Sequence, residues 1–149
     1  MSSFNLEHEW TCELYRIKGF LCAVEQHFYE PLSQRVDIQE YALKLSTNAK
    51  NLFLVEESGA DVAHVAFYEN KKENSIFISS IATKTTHRNN GLGGYILEVI
   101  KTYAKENNYK EIELEVDARA NKLISFYKKN SFVELKRYEN TLRLNYLIN

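Results

Sequence analysis

A mixed α/β fold, with a mostly antiparallel central sheet of six or seven strands and about four flanking helices, is predicted by three observations. Apolar β-rich runs follow one another with hairpin signals between them. A helical pattern with one apolar face then separates two runs that can lie parallel, and a last helical pattern precedes a closing pair of strands. At 149 residues, 44% of them hydrophobic, the chain suits one domain over 1–149, long enough to bury a core without staples. A single proline, Pro31, and the lack of Gly/Ser-rich linkers or repeats argue for a continuous unit.

In chain order, residues 11–17 read as a first strand and 20–29 as a helical segment interrupted at Pro31. Asp37 is an N-cap candidate for a helix through Asn48, because Ile38, Tyr41, Ala42 and Leu45 fall on one face. Runs 51–56 and 61–68 are strands separated by the turn sequence Glu57-Ser58-Gly59-Ala60, and the charged stretch 69–74 turns into a third strand over 75–83, giving three sequential antiparallel strands. Leu92, Tyr95, Ile96, Val99, Ile100 and Tyr103 then recur at helical spacing. Next, Ile112, Leu114 and Val116 alternate with Glu111, Glu113, Glu115 and Asp117, a strand with one apolar and one acidic face. The intervening helix lets it run parallel to its predecessor. Residues 121–130 form the last predicted helix, followed by strands 132–137 and 141–147 around the turn Tyr138-Glu139-Asn140.

The chemistry concentrates in His87-Arg88-Asn89-Asn90-Gly91-Leu92-Gly93-Gly94, which leads from a strand into a helix. Unpaired N–H groups and the positive end of the helix dipole favour an anion there, and glycines let a phosphate approach the backbone. Arg88 adds a forked, permanently charged donor. Glycines alone would favour a plain sharp turn with an exposed arginine. A Walker loop is excluded because Gly94 and Tyr95 follow Gly93 where lysine and Ser/Thr are required, and a dinucleotide loop is excluded because Ile96 stands at the third glycine.

The spacing that does fit is R-x-x-G-x-G, formed by Arg88, Gly91 and Gly93, and here the sequence resembles the GNAT superfamily of acyl-CoA N-acyltransferases. The order of elements on either side extends that resemblance over most of the chain. It implies a GNAT-like fold with acetyl-CoA as acyl-donor cosubstrate. By the same resemblance Arg88, Asn89, Asn90, Gly91, Leu92, Gly93 and Gly94 would hold the pyrophosphate, and the backbone of Ile81, Ala82 and Thr83 would line the pantetheine. A backbone donor near Ile81 would polarise the thioester carbonyl.

A second landmark of the family, an asparagine six residues before a tyrosine and a Gly-Phe ending, is matched by Asn121, Tyr127 and Phe132, with Ser131 in place of the glycine. The left-handed conformation a glycine would supply there falls to Asn130 in this reading. The resemblance implies Tyr127, beside the cofactor, as general acid, since amine attack on a thioester expels a thiolate that a phenol can protonate. Without it, a tyrosine beside Phe126 reads as core. Asn121 is either the helix N-cap or a pantetheine contact, and a cap could serve both ends.

No general base can be carried over, because 75–83 contains neither carboxylate nor histidine. Ser79 and Ser80 could position a relay water and Glu113 or Glu115 could receive the proton, although a solvated strand face explains those carboxylates more simply. His64 reads as a structural or surface histidine.

A net charge of -1 offers no basic excess for nucleic acid or an anionic membrane, and no apolar stretch approaches the roughly 18 residues of a spanning helix. The first ten residues lack a signal-peptide pattern, and Cys12 and Cys22 have no metal, redox or nucleophile spacing, so a reducing cytoplasm and no metal are expected. The expected activity is acetyl transfer to a primary amine of a small molecule or peptide by direct attack in a ternary complex, with a homodimer left open as a partner. A non-catalytic acyl-CoA-binding or sensing domain is the alternative, and Tyr127 is the feature against it. Acceptor selectivity is expected from residues 20–34, which include His27, Phe28 and Tyr29, while the acidic face over 111–117 would favour a cationic amine.

Overall fold

Glu13 opens the first helix: its carboxylate accepts from the N–H groups of Tyr15 at 3.1 Å and Arg16 at 2.7 Å, the satisfaction of otherwise orphan donors that defines a cap. The structure, a computed structural model, describes residues 6–84 and 91–149. Residues 11–17 are therefore not a strand. The first strand lies earlier, as β1 (Leu6–Trp10), and α1 covers Leu14–Val24. Ile17, Phe20, Leu21 and Val24 repeat at three- and four-residue spacing and are all buried, so tertiary burial of one helical face overrides the β-prone composition of Thr11 to Ile17. A short 3-10 turn, Glu25–His27, replaces the end of the helical segment expected over 20–29, and a second, Leu32–Gln34, follows the expected interruption at Pro31.

The remaining elements follow the expected order: α2 (Ile38–Asn48), β2 (Lys50–Glu56), β3 (Asp61–Asn70), β4 (Ser75–Thr83), α3 (Leu92–Glu106), β5 (Glu111–Asp117), α4 (Asn121–Lys129), β6 (Val133–Tyr138) and β7 (Thr141–Leu147). Asp37 caps α2 as predicted, accepting from Glu40 N–H at 3.0 Å. The seven strands form one mixed sheet in the order β1-β2-β3-β4-β5-β7-β6. β1, β2 and β3 pair antiparallel, β4 and β5 pair parallel, and β7 runs antiparallel to both β5 and β6.

The chain forms two compact units, Met1–Phe67 with Ser80–Gly93, and Tyr68–Ser79 with Gly94–Asn149. In the first, residues 52–55 of β2 and 62–67 of β3 are buried without a break, the pattern of strands covered on both faces. Phe20 of α1 meets Phe53 edge-on at 5.7 Å between centroids. Arg16 grips Asp61 with two donors at 2.9 and 2.6 Å and also pairs with Glu9, which raises its pKa still further through the Asp61 hydrogen bond.

In the second unit, Ile112, Leu114 and Val116 of β5 and Leu142 and Leu144 of β7 supply buried apolar side chains. The acidic face of β5 is engaged by its own neighbours. Glu111 accepts from Asn145 at 2.7 Å, Arg143 lies 3.4 Å from Glu113 and 3.7 Å from Glu115, Tyr138 donates to Glu115, and Arg119 pairs with Asp117 at 2.7 Å.

At the end of α4 the left-handed residue is Ser131, with φ +74°, whereas Asn130 has φ -97°; the expectation that Asn130 takes this role is thus corrected. Phe132 N–H bonds Tyr127 O at 3.1 Å and Ser131 N–H bonds Lys128 O at 3.1 Å, a Schellman arrangement whose geometry requires positive φ at Ser131. Its accompanying apolar contact is Tyr127 against Phe132, 5.7 Å between centroids. The left-handed penalty of about 1–2 kcal/mol for a residue with a Cβ exceeds the entropy cost of glycine, about 0.5–1 kcal/mol. Ser131→Gly should therefore stabilise the fold by about 0.5–1 kcal/mol in urea unfolding; an unchanged or lower midpoint would show that Ser131 carries no strain.

Candidate functional site

The residues selected from the sequence divide between the units. Ile81, Ala82, Thr83, Gly91, Leu92 and Gly93 belong to the first, and Gly94, Asn121 and Tyr127 to the second. Arg88, Asn89 and Asn90 lie outside the described residues, as does His87. Gly91 has φ +78°, and a Cβ built on it would meet nothing within 4 Å, so conformation rather than space requires glycine there. Leu92 follows as the first, buried residue of α3. A Cβ on Gly94 would lie 3.4 Å from Asn130 Oδ1, so Gly94 runs close against the cap of α4.

Ile81, Ala82 and Thr83 are half-buried at the end of β4. The parallel ladder between β4 and β5 pairs Ser75↔Glu111 to Ile78↔Leu114. Val116 and Asp117 of β5 continue in register with β7.

Tyr127 exposes only 3% of its surface. Its ring is packed edge-on between Phe126 and Phe132, at centroid distances of 5.2 and 5.7 Å. Burial pushes its pKa above that of an ordinary phenol, because the charged form is desolvated. Asn121, by contrast, is exposed and is not the cap. Ala120 occupies the N-cap position without a side-chain bond, since the turn over Ala118 and Arg119 brings Asn121 already inside the helix. Asn121 lines an open hollow with Lys122, Ser125, Phe126 and Lys129.

Among the base candidates, Glu113 has its pKa raised, first by burial and then by Glu111, and both Glu113 and Glu115 face Arg143. His64 is fully buried. Asn51 uses its Nδ2 to donate to Leu45 O and Ala49 O at 2.9 and 3.2 Å, which leaves its Oδ1 to accept from His64 Nε2 at 3.0 Å. The Nε2–H tautomer follows. Desolvation lowers the His64 pKa to about 3, so this imidazole is a neutral structural group. Ser80 is buried and its hydroxyl has no hydrogen-bond partner.

One residue escaped sequence reasoning. Lys101 is the only buried lysine or arginine among the described residues. Of the face expected on α3, Leu92, Ile96 and Ile100 are buried as predicted, whereas Tyr95 is exposed and the buried stripe also includes Leu97, Lys101 and Ala104. A lysine at the i+4 position between two small or apolar stripe residues was the available signal.

Comparison with known proteins bears on the whole chain. The model of one family, Acetyltransferase (GNAT) family, matches residues 8–132. Among solved structures, a spermidine N-acetyltransferase SpeG chimera from Vibrio cholerae and hSSAT is similar at TM-score 0.77 and 15% identity, covering 95% of each chain. An acetyltransferase of GNAT family from Staphylococcus aureus MU50 gives 0.76 at 13% identity, over 99% of this chain and 100% of that one. The ribosomal-protein-S18-alanine N-acetyltransferase from Escherichia coli gives 0.75 at 16%, over 95% and 94%. At these identities the structural matches establish the shared fold. No curated protein matches the sequence.

Proposed function

The chain belongs to the GNAT acetyltransferase family, and from that premise we propose that it moves an acetyl group from acetyl-CoA to a primary amine of a small molecule or peptide, by direct attack in a ternary complex. The observation that carries the reading is Tyr127: a phenol held by aromatic packing and kept protonated by burial, on the helix that Asn121 begins. Amine nitrogen attacks the thioester carbon, the C–S bond breaks, the nitrogen loses a proton and the sulfur gains one. A thiol has an ordinary pKa of about 8.5, below that of the phenol, so Tyr127 acts by donating a hydrogen bond to sulfur as negative charge grows there.

Cofactor binding is proposed for Arg88, Asn89, Asn90, Gly91, Leu92, Gly93 and Gly94 on the pyrophosphate, and for the Ile81, Ala82 and Thr83 backbone, with Asn121, along the pantetheine. The positive φ of Gly91, with nothing within 4 Å of the place a Cβ would take, supports this assignment, because a phosphate can then approach the backbone closely. Ser80, with its unpartnered hydroxyl, is a candidate to hold a relay water for the amine proton. One domain is proposed to perform the reaction, since the family match runs through both compact units. Among the described residues no helix is long and apolar enough to cross a membrane, and Cys12 and Cys22 are free, which supports the cytoplasm as its setting.

The direct test is thiol release from acetyl-CoA against a panel of polyamines, amino sugars, amino acids and N-terminal peptides. Release with at least one amine is expected. Thermal stabilisation by coenzyme A with no release from any acceptor would replace this reading by a non-catalytic acyl-CoA sensor. In calorimetry, Arg88→Ala and Gly91→Glu should each weaken acetyl-CoA binding by about tenfold, the first by removing a charge-assisted donor, the second by setting a carboxylate against the pyrophosphate and a Cβ at positive φ. Unchanged affinity in both folded variants would reduce the loop to a simple turn.

A further inference from the structure

We infer that Lys101 is a positioning residue for acetyl transfer: by holding the C-terminal turn of α4 it sets where the Tyr127 hydroxyl stands. This rests on the role proposed above for Tyr127. The Lys101 ammonium donates to Asn130 O at 2.6 Å, lies 4.2 Å from the centroid of the Tyr146 ring and 5.9 Å from that of Phe132. Its ion pair with Glu98, at 3.5 Å, involves a carboxylate side chain that is 66% exposed, so solvent screens it.

The carbonyls of the last α4 turn show why one cation is needed here. Phe126 O accepts from the Asn130 side chain at 2.8 Å, Tyr127 O from Asn130 and Phe132 N–H groups, and Lys128 O from Ser131 N–H. Asn130 O is taken up by Lys101, at the negative end of the helix dipole, where a cation is favoured. An apolar residue between Leu97 and Ala104 would pack without desolvating a charge. The buried ammonium instead bonds the helix end three residues beyond Tyr127 and stands over the Phe132 ring, 5.9 Å from its centroid, against which the Tyr127 ring rests. Asn130 also approaches Gly94 in the first turn of the Lys101 helix, so α3 and α4 are joined at two points.

The experiment is a double-mutant cycle of Lys101→Met and Tyr127→Phe, read by thiol release from acetyl-CoA with the fastest amine of the panel, or with water if none reacts, at a temperature where circular dichroism shows each variant folded. Lys101→Met should lower kcat about tenfold while leaving acetyl-CoA affinity within about twofold. Lys101→Arg, which keeps charge and donor, should recover most of the loss. The double variant should be no slower than Tyr127→Phe, because Lys101 acts through that hydroxyl. Full kcat in Lys101→Met beside a slow Tyr127→Phe, or a double variant showing the product of both losses, would overturn the inference alone. Wild-type turnover in Tyr127→Phe would overturn the proposed role of the Tyr127 hydroxyl and this inference with it. Should Lys101→Met not fold, Lys101→Gln enters the same cycle with the same readings.

Discussion

Replacing Tyr127 by phenylalanine should lower kcat by about a hundredfold or more while acetyl-CoA affinity stays nearly constant. Phenylalanine preserves the packing with Phe126 and Phe132 and removes only the hydroxyl, so any loss belongs to the transition state. The raised pKa of the phenol also fixes the pH profile: activity should climb through the alkaline range with the free-amine fraction and show no falling limb from Tyr127. Single-turnover measurements separate chemistry from product release. A variant rate within about twofold of wild type would make Tyr127 a packing residue.

The second large effect concerns stability. Burial lowers the His64 pKa from its ordinary 6.5 to about 3 in the folded state, chiefly through desolvation. Between those values the unfolded state binds a proton that the native state does not. Stability is therefore fully present above pH 6.5 and falls as pH drops toward 3, by up to about 1.4 kcal/mol per pH unit from this group. His64→Gln keeps an amide donor for Asn51 and does not titrate. Urea unfolding at pH 4.5 and 7 should show a difference smaller in the variant than in wild type by about 2–3 kcal/mol. Equal differences would mean that His64 protonates in place.

Where local and tertiary signals agree, the sequence sufficed. The period-two alternation of β5, the Asp37 cap and the helical recurrence of α3 each specify their element from neighbours alone. Thr11 to Ile17 failed because β-prone side chains and a helical burial face coincide there, and only the packing of Ile17 and Phe20 decides between them. Leu6–Trp10 was silent because an edge strand exposed at Glu7, His8, Glu9 and Trp10 needs no apolar alternation. The cap of α4 slipped by one residue at each end, to Ala120 and Ser131, as helix boundaries commonly do. The positive-φ turn at Gly91 was legible through the spacing of the loop. Lys101 was not, since its partner is a backbone carbonyl 29 residues away, and no residue pattern marks a carbonyl.

The strand order β5-β7-β6 has a consequence for how this half of the sheet assembles. β6 precedes β7 in the chain but is separated from β5 by it, so β6 has no neighbour to join until β7 has been made. The local β6–β7 hairpin closes Tyr138↔Thr141 across a short turn, whereas β5 must wait for Asp117↔Thr141 and the rest of a seven-pair ladder. Chain entropy favours closing the short loop first. A hairpin that docks along β5 as a preformed ribbon would bring Asn145 and Arg143 to the acidic row from Glu111 to Asp117 together.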